Sequence, residues 1–343
     1  MRGDEIGRYN AQALKQNPKA SNPALSSSES RTKKFGGILL PIPTPFDGDG
    51  AVDLPALRSD IENWNNTGIA GYVLLGSTGE RSHLEEAECL QVIESARASV
   101  KEGMLFIIGA GRQSTRSTVD EVRGIGAGDA DALLVITPHF YRADMTQDAL
   151  ITHYLTVAEA SRVPVLLYSV PQLTGVTLAP ETIARLSEHP NVVGVKDSSG
   201  DVLALAETIR QVPGDFAVLT GNGGALYPAL CVGARGGILA IACIAPRLAV
   251  EIQQSFEGGD QPLARNLQQS LTVLTRGVLG RYGISGLKAA LDMLGYAGGR
   301  VRAPLQDAGE KSRCEIAMIL RETGLLVDAA EGEGHRLAGA SIR

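Results

Sequence analysis

The stretch VPVLLYSVPQLTGVTLAPETIARLSEHPNVVGVKDSSGD, Val163 to Asp201, decides the fold. It opens on an apolar run, Val163 to Val170, and continues into helical periodicity behind Pro180, a residue suited to a first helical turn. It ends in a second apolar run, Val192 to Asp197. Run, helix and run make one βαβ unit, which sets the two strands parallel. Neither run alternates strictly between apolar and polar, as expected of strands buried on both faces.

The same unit recurs in both directions. Runs at Gly37 to Leu40, Gly71 to Ser77, Leu105 to Gly111 and Ala132 to Thr137 precede it, and runs at Phe216 to Gly221 and Gly236 to Cys243 follow. Between them lie helix-start signals, Ser82 ahead of Glu85 and Thr146 ahead of Ala149. Eight parallel strands with right-handed helical crossovers close most readily as a (β/α)8 barrel; an open doubly wound sheet has the same local pattern. Beyond the eighth run, Arg247 to Glu257, Pro262 to Leu279, Ser285 to Gly295 and Glu310 to Thr323 read as helices. The expected organisation is an amino-terminal arm at 1–34, the barrel at 35–258, a C-terminal helical layer at 259–325 and a loose tail at 326–343.

Composition narrows the function. A net charge of −6 and no basic stripe interleaved with aromatics argue against nucleic acid as a partner. No apolar run reaches the roughly 18 residues of a membrane span, so no membrane partner is expected and the cytoplasm is the expected compartment. Asp4, Glu5 and Glu29 dilute the basic character that a mitochondrial transit peptide would need. Cys89, Cys231, Cys243 and Cys314 lack CxxC spacing and are expected to be reduced and mostly buried. The five histidines show no ligand spacing, so no metal and no cofactor are expected.

Three features carry chemistry. Lys196 is the only lysine between Lys101 and Lys288 and sits in the strand stretch NVVGVKDSS. Alternation places Val192, Gly194 and Lys196 on one face and Val193, Val195 and Asp197 on the other. Pointing into the barrel, the lysine would have open space beside Gly194. A low-dielectric setting disfavours an ammonium and frees the amine to attack a carbonyl. The alternative is a lysine that snorkels to water or pairs with Asp197; the carboxyl end of a barrel strand favours catalysis. GSTGE, Gly76 to Glu80, offers Ser77, Thr78 and the amides of Thr78 and Gly79 as a nest for one carboxylate, unless it is an ordinary turn after a strand. Tyr168, at the end of the fifth run, would relay protons or, alternatively, pack with a hydrogen-bonded hydroxyl. Asp129, Asp131 and the Gly124 to Gly128 string precede a strand, the wrong end for catalysis or for a dinucleotide.

PIPTPF at Pro41 to Phe46, GSTGE, YSVPQLTG at Tyr168 to Gly175 and GVKDSSGD at Gly194 to Asp201 together resemble the dihydrodipicolinate synthase and N-acetylneuraminate lyase superfamily. The resemblance spans about Gly36 to Gln306. It implies a (β/α)8 class I aldolase or dehydratase acting on a small 2-oxo acid. In that likeness Lys196 is the imine nucleophile, Tyr168 the proton shuttle, and Ser77 with Thr78 and Gly79 the carboxylate pocket. Thr44, Ser198, Gly221 and Asn222 line the remainder, and a homotetramer built as a pair of dimers is implied.

Two positions depart from the pattern. Leu173 stands where dihydrodipicolinate synthases carry an arginine for the carboxylate of aspartate semialdehyde. Phe140 stands where many members carry a relay tyrosine, with Tyr141 beside it. With TPHFYRADM and the late segment YGISGLKAALDMLGYAGGRVRAPLQ, these residues look most like 4-hydroxy-2-oxoglutarate aldolase. The expectation is retro-aldol cleavage to pyruvate and a small aldehyde such as glyoxylate. The alternatives are a 2-keto-3-deoxy sugar acid aldolase or dehydratase, a dihydrodipicolinate synthase, and a non-catalytic barrel scaffold.

Overall fold

The computed structural model describes residues 35–125 and 130–326. The expected arm, the tail beyond 326, Asp129 and most of the Gly124 to Gly128 string lie outside the described residues. Eight strands close a parallel barrel in chain order: β1 Gly37–Pro41, β2 Gly71–Leu74, β3 Leu105–Ala110, β4 Ala132–Ile136, β5 Val165–Ser169, β6 Val192–Asp197, β7 Ala217–Thr220 and β8 Gly236–Ile238. Pairing of Leu39 with Ile238 closes β1 on β8, which excludes the open sheet.

The side-chain period of two sorts each strand into two layers. Leu39, Val73, Ile107, Leu134, Leu166 and Leu219 fill the barrel interior. Leu40, Leu74, Ile108, Leu133, Val135 and Val195 point outward into the larger layer under the helices. Both layers are mainly aliphatic, in keeping with the 4% aromatic content, with a few buried rings such as Tyr72, Phe106 and Tyr154 in the outer one.

The helical ring comprises α1 Leu54–Trp64, α2 Glu86–Ser99, α3 Thr115–Gly124, α4 Gln147–Ala160, α5 Pro180–Ser187, α6 Val202–Gln211, α7 Leu226–Cys231 and α8 Pro246–Glu257. Thr146 caps α4 by accepting from the Ala149 N–H at 3.2 Å, and Pro180 opens α5, as the sequence suggests. Ser82 does not cap α2. It lies in a short 3-10 turn, and Glu85 with Glu88 forms the capping box instead.

Two strands, β2 and β8, end well before their apolar runs do. β2 stops at Leu74 because Leu75 turns into the left-handed region at φ 54. Only glycine at 109 tolerates this, since a Cβ there would lie 2.2 Å from the Leu75 carbonyl oxygen. β8 stops at Ile238, and Ala240–Cys243 forms a 3-10 turn whose Ile241, Ala242 and Cys243 are fully buried. Those residues are apolar because they pack, not because they pair. Trp64 Nε1 donates to the Cys243 carbonyl at 3.0 Å, tying α1 to this turn.

Past α8 the chain adds α9 Gln261–Leu274, a π-helical turn Thr275–Gly280, α10 Arg281–Met293 and α11 Glu310–Glu322. The helix expected to run to Leu279 does continue past Leu274, passing into the π-helical turn, and non-helical Gly283 (φ 59, ψ −145) separates it from the helix expected from Ser285. Leu271, Leu274, Leu287 and Ile316 are buried where this layer packs; truncating one such leucine to alanine costs about 2–5 kcal/mol. No helix among the described residues is long and apolar enough to cross a membrane.

Candidate active site

Strand pairing sets the centre of the site. In the β5–β6 ladder Tyr168 pairs with Lys196 and Leu166 with Gly194, but Val165 pairs with Val192. One residue of β6 is therefore surplus, a β-bulge at Val193. Val193 packs inside the barrel while Val192 and Val195 pack under the helices. The expected face of Val192, Gly194 and Lys196 is corrected accordingly: the bulge interrupts strict alternation. The space expected beside Gly194 is also occupied, since a Cβ there would lie 2.7 Å from Leu166 Cδ2.

Lys196 is 5% exposed, so it does not snorkel. Its Nζ lies 4.3 Å from the centroid of the Tyr168 ring. Nor does it pair with Asp197, whose Oδ1 accepts from Ser199 N at 2.7 Å and from Ser199 Oγ. Burial pushes the Asp197 carboxyl up from its ordinary value. On the far side, a Cβ at Gly221 would lie 1.9 Å from Ser198 Oγ and 3.0 Å from Lys196 Cε. Glycine at 221 thus lets β6 and the exit of β7 close around the lysine stem.

The Tyr168 hydroxyl lies 3.4 Å from Ser77 Oγ. Thr78 is buried and follows it in the loop. The loop is tighter than the motif alone suggests: Gly79 N donates to Gly76 O at 3.1 Å and Glu80 N to Ser77 O at 3.2 Å. The Gly79 amide is therefore used within the turn, which leaves the Ser77 and Thr78 hydroxyls and the Thr78 N–H as the groups of the expected nest. Thr44, at the exit of β1, braces this loop by donating its hydroxyl to Gly79 O at 2.8 Å.

Other expected residues stay outside this centre. Asn222 Oδ1 accepts from Gly224 N at 2.9 Å and so serves as a turn cap. Phe140 and Tyr141 are 74% and 67% exposed and contact each other edge to face, so the expected relay at this pair is not assembled in one chain. Leu173 is 63% exposed on the rim, in the one-turn helix Pro171–Thr174. Beside it, Arg142 lies along Gly175, where a Cβ would meet Arg142 Cδ at 2.9 Å.

Two residues escaped sequence reasoning altogether. Glu80 and Lys288 form an ion pair at 2.6 Å with both side chains 1% exposed. The signal was present: a lysine in the apolar helix stretch GLKAAL has no water to reach. Among the described residues no cluster of His, Cys, Asp or Glu is placed to hold a metal. All four cysteines are free, but only Cys89 and Cys243 are buried; Cys231 and Cys314 are exposed, against expectation.

Residues 34–323 match the model of the dihydrodipicolinate synthetase family. The 4-hydroxy-tetrahydrodipicolinate synthase of Methanopyrus kandleri is 35% identical over 84% of this chain and 97% of its own length. That of Methanothrix thermoacetophila is 34% identical over 83% and 96%. The crystal structure of the dihydrodipicolinate synthase from Acinetobacter baumannii complexed with pyruvate superposes with a TM-score of 0.80 at 32% identity, covering 85% of this chain and 99% of that one.

These relatives overturn the expectation of a 4-hydroxy-2-oxoglutarate aldolase, since near-full-length similarity runs to 4-hydroxy-tetrahydrodipicolinate synthases. The expectation leaned on the missing guanidinium at Leu173. That inference judged one position alone; on the neighbouring loop Arg142 lies against Gly175, two residues on from Leu173. The chain belongs to the dihydrodipicolinate synthetase family and is a class I lyase on a (β/α)8 barrel.

Proposed function

We propose that the protein condenses pyruvate, held as an imine on Lys196, with an aldehyde that carries its own carboxylate, in the manner of a 4-hydroxy-tetrahydrodipicolinate synthase. The observation that carries this reading is the enclosed amine over the Tyr168 ring, with the phenol 3.4 Å from Ser77 Oγ. Lys196 attacks the pyruvate C2 carbonyl and water leaves. The C3 proton then passes to water while the electrons of its C3–H bond move to the protonated imine nitrogen, giving an enamine. Its C3 bonds to the aldehyde carbon, and the new alkoxide takes the Tyr168 phenolic proton, which Ser77 Oγ helps to replace. Ser77, Thr78 and the Thr78 N–H fix the pyruvate carboxylate, which orients C3 before bond formation.

Arg142 is the group proposed to hold the second carboxylate. It is exposed and no described side chain forms an ion pair with it. Leu173 beside it supplies apolar wall. The exposed Phe140–Tyr141 pair supports the further proposal that a second copy covers this rim in a homo-oligomer.

The test is pyruvate consumption with aspartate semialdehyde and with aldehydes lacking a carboxylate. Turnover with the semialdehyde, and a KM for it raised at least tenfold in Arg142→Ala with the pyruvate KM unchanged, is the expected result. Equal turnover of carboxylate-free aldehydes would contradict the substrate class.

A further inference from the structure

Lys288 sits on α10 between Leu287 and Ala289, with Ala290 and Leu291 following, and all five residues are buried. A charge in such a place must find every partner inside the protein. It does: Nζ donates to Thr44 O at 2.7 Å, to Glu80 Oε1 at 2.6 Å and to Arg300 O at 2.6 Å. The three donors of an ammonium are thereby used.

Glu80 is held from three sides. Its second oxygen accepts from Arg302 N at 3.0 Å and lies 3.3 Å from His83 Nδ1. Its backbone is in the left-handed region at φ 53, uncommon for a residue with a Cβ. Such a conformation persists only where its surroundings over-determine it. Leu75, at φ 54, flanks the other end of the same loop. Ser77 and Thr78 are thus strung between two left-handed residues, one of which is pinned by Lys288.

A second arm reaches the same place. Lys288 holds the Thr44 carbonyl, and the Thr44 hydroxyl holds Gly79 O. Phe46, two residues past Thr44, has Lys288 Nζ at 4.5 Å and Arg302 Cζ at 4.3 Å from its ring centroid. Buried ion pairs are weak stabilisers compared with apolar replacements, and the best-attested use of such groups is to fix a geometry. Both arms here end on residues 79 and 80, directly after the nest.

We infer that Glu80 and Lys288 are positioning residues that clamp the Ser77–Thr78 nest from the C-terminal helical layer and thereby set the affinity for the carboxylate of the 2-oxo acid. Neither touches the reacting atoms. The inference rests on Ser77 and Thr78 being the pyruvate carboxylate site, as proposed above.

The experiment is borohydride trapping on full-length protein, comparing pyruvate with acetone, a ketone that has no carboxylate. Glu80→Gln/Lys288→Met removes both charges together, leaving none uncompensated. Expected is at least a tenfold rise in the pyruvate concentration that half-saturates trapping, with acetone trapping within twofold of wild type. Pyruvate half-saturation within twofold in a folded variant would overturn the clamp, and so would equal losses for pyruvate and acetone. Should the double variant fail to fold, Glu80→Asp decides, since it keeps the charge but withdraws it by one methylene. A threefold or greater rise for pyruvate alone supports the clamp, and a smaller one overturns it. Wild-type protein that traps acetone but shows no saturable preference for pyruvate would instead remove the underlying site assignment.

Discussion

Lys196 Nζ stands 4.3 Å from the ring centroid of Tyr168, its cross-strand partner in the β5–β6 ladder. The amine and the phenol are thus held by backbone pairing rather than by a loop. Their separation survives only as long as both strands keep register.

Tyr168→Phe keeps the ring and the packing but removes the acid. A positioned general acid or base contributes about 10²–10⁴-fold, so kcat for condensation should fall in that range. Imine trapping with pyruvate should persist within a few-fold. Steady-state kinetics beside borohydride trapping checks this, and equal loss of both would assign Tyr168 to imine formation instead.

Gly221→Ala tests the closure around the lysine stem. A Cβ there would sit 1.9 Å from Ser198 Oγ and 3.0 Å from Lys196 Cε, so the side chains must move. Activity should drop more than tenfold with a smaller effect on Tm. Adding Ser198→Gly removes the worst contact and should recover part of the trapping rate. Unchanged activity in Gly221→Ala would mean that the lysine stem has more freedom than the packing indicates.

Ser77→Ala removes the hydroxyl nearest Tyr168 while leaving the loop backbone in place. Both kcat and pyruvate affinity should fall, and Ser77→Thr should restore most of each. Stopped-flow trapping as a function of pyruvate concentration separates the two effects. A variant that loses affinity alone would leave Ser77 as a carboxylate ligand without a part in proton transfer.

Asp60 gives a prediction about stability. Burial raises its carboxyl from 3.8 to about 6, although Oδ1 accepts from Ala297 N at 2.8 Å. Between those values the folded state binds more protons than the unfolded one, so the contribution of Asp60 to stability declines as pH rises through roughly 4 to 6. Above that window the ionised group costs on the order of 3 kcal/mol, at 1.36 kcal/mol per unit. His153 runs the other way, because burial lowers it to about 4 and favours stability at higher pH. The difference between Asp60→Asn and wild type isolates the carboxyl: denaturant titrations should show the variant gaining on wild type from pH 4 to 6 and holding the gain at pH 7. A difference that does not vary with pH would contradict this.

Much of the barrel was legible because each strand is a run of aliphatic residues between polar helical segments. Misplaced ends have one cause. Ser77 and Cys243 belong to buried turns, and burial without pairing leaves the same apolar mark as a strand. The bulge at Val193 left no trace in sequence, since valine suits either layer. That Lys196, Tyr168 and Ser77 would come together was legible because polar residue types stood at the ends of neighbouring apolar runs. The apolar stretch around Lys288 marked a buried lysine but not its partner Glu80, because 208 residues separate them and their pairing exists only after the C-terminal layer docks. Leu173 misled by being judged alone, without Arg142 on the neighbouring loop, which lies against Gly175.

The most direct test is reduction with borohydride in the presence of pyruvate, followed by peptide mass mapping. The peptide bearing Lys196 should carry a stable adduct of one reduced pyruvate, absent in Lys196→Ala and absent without pyruvate. A folded wild-type protein that forms no adduct, or forms it on another lysine, would contradict the central role given to that amine.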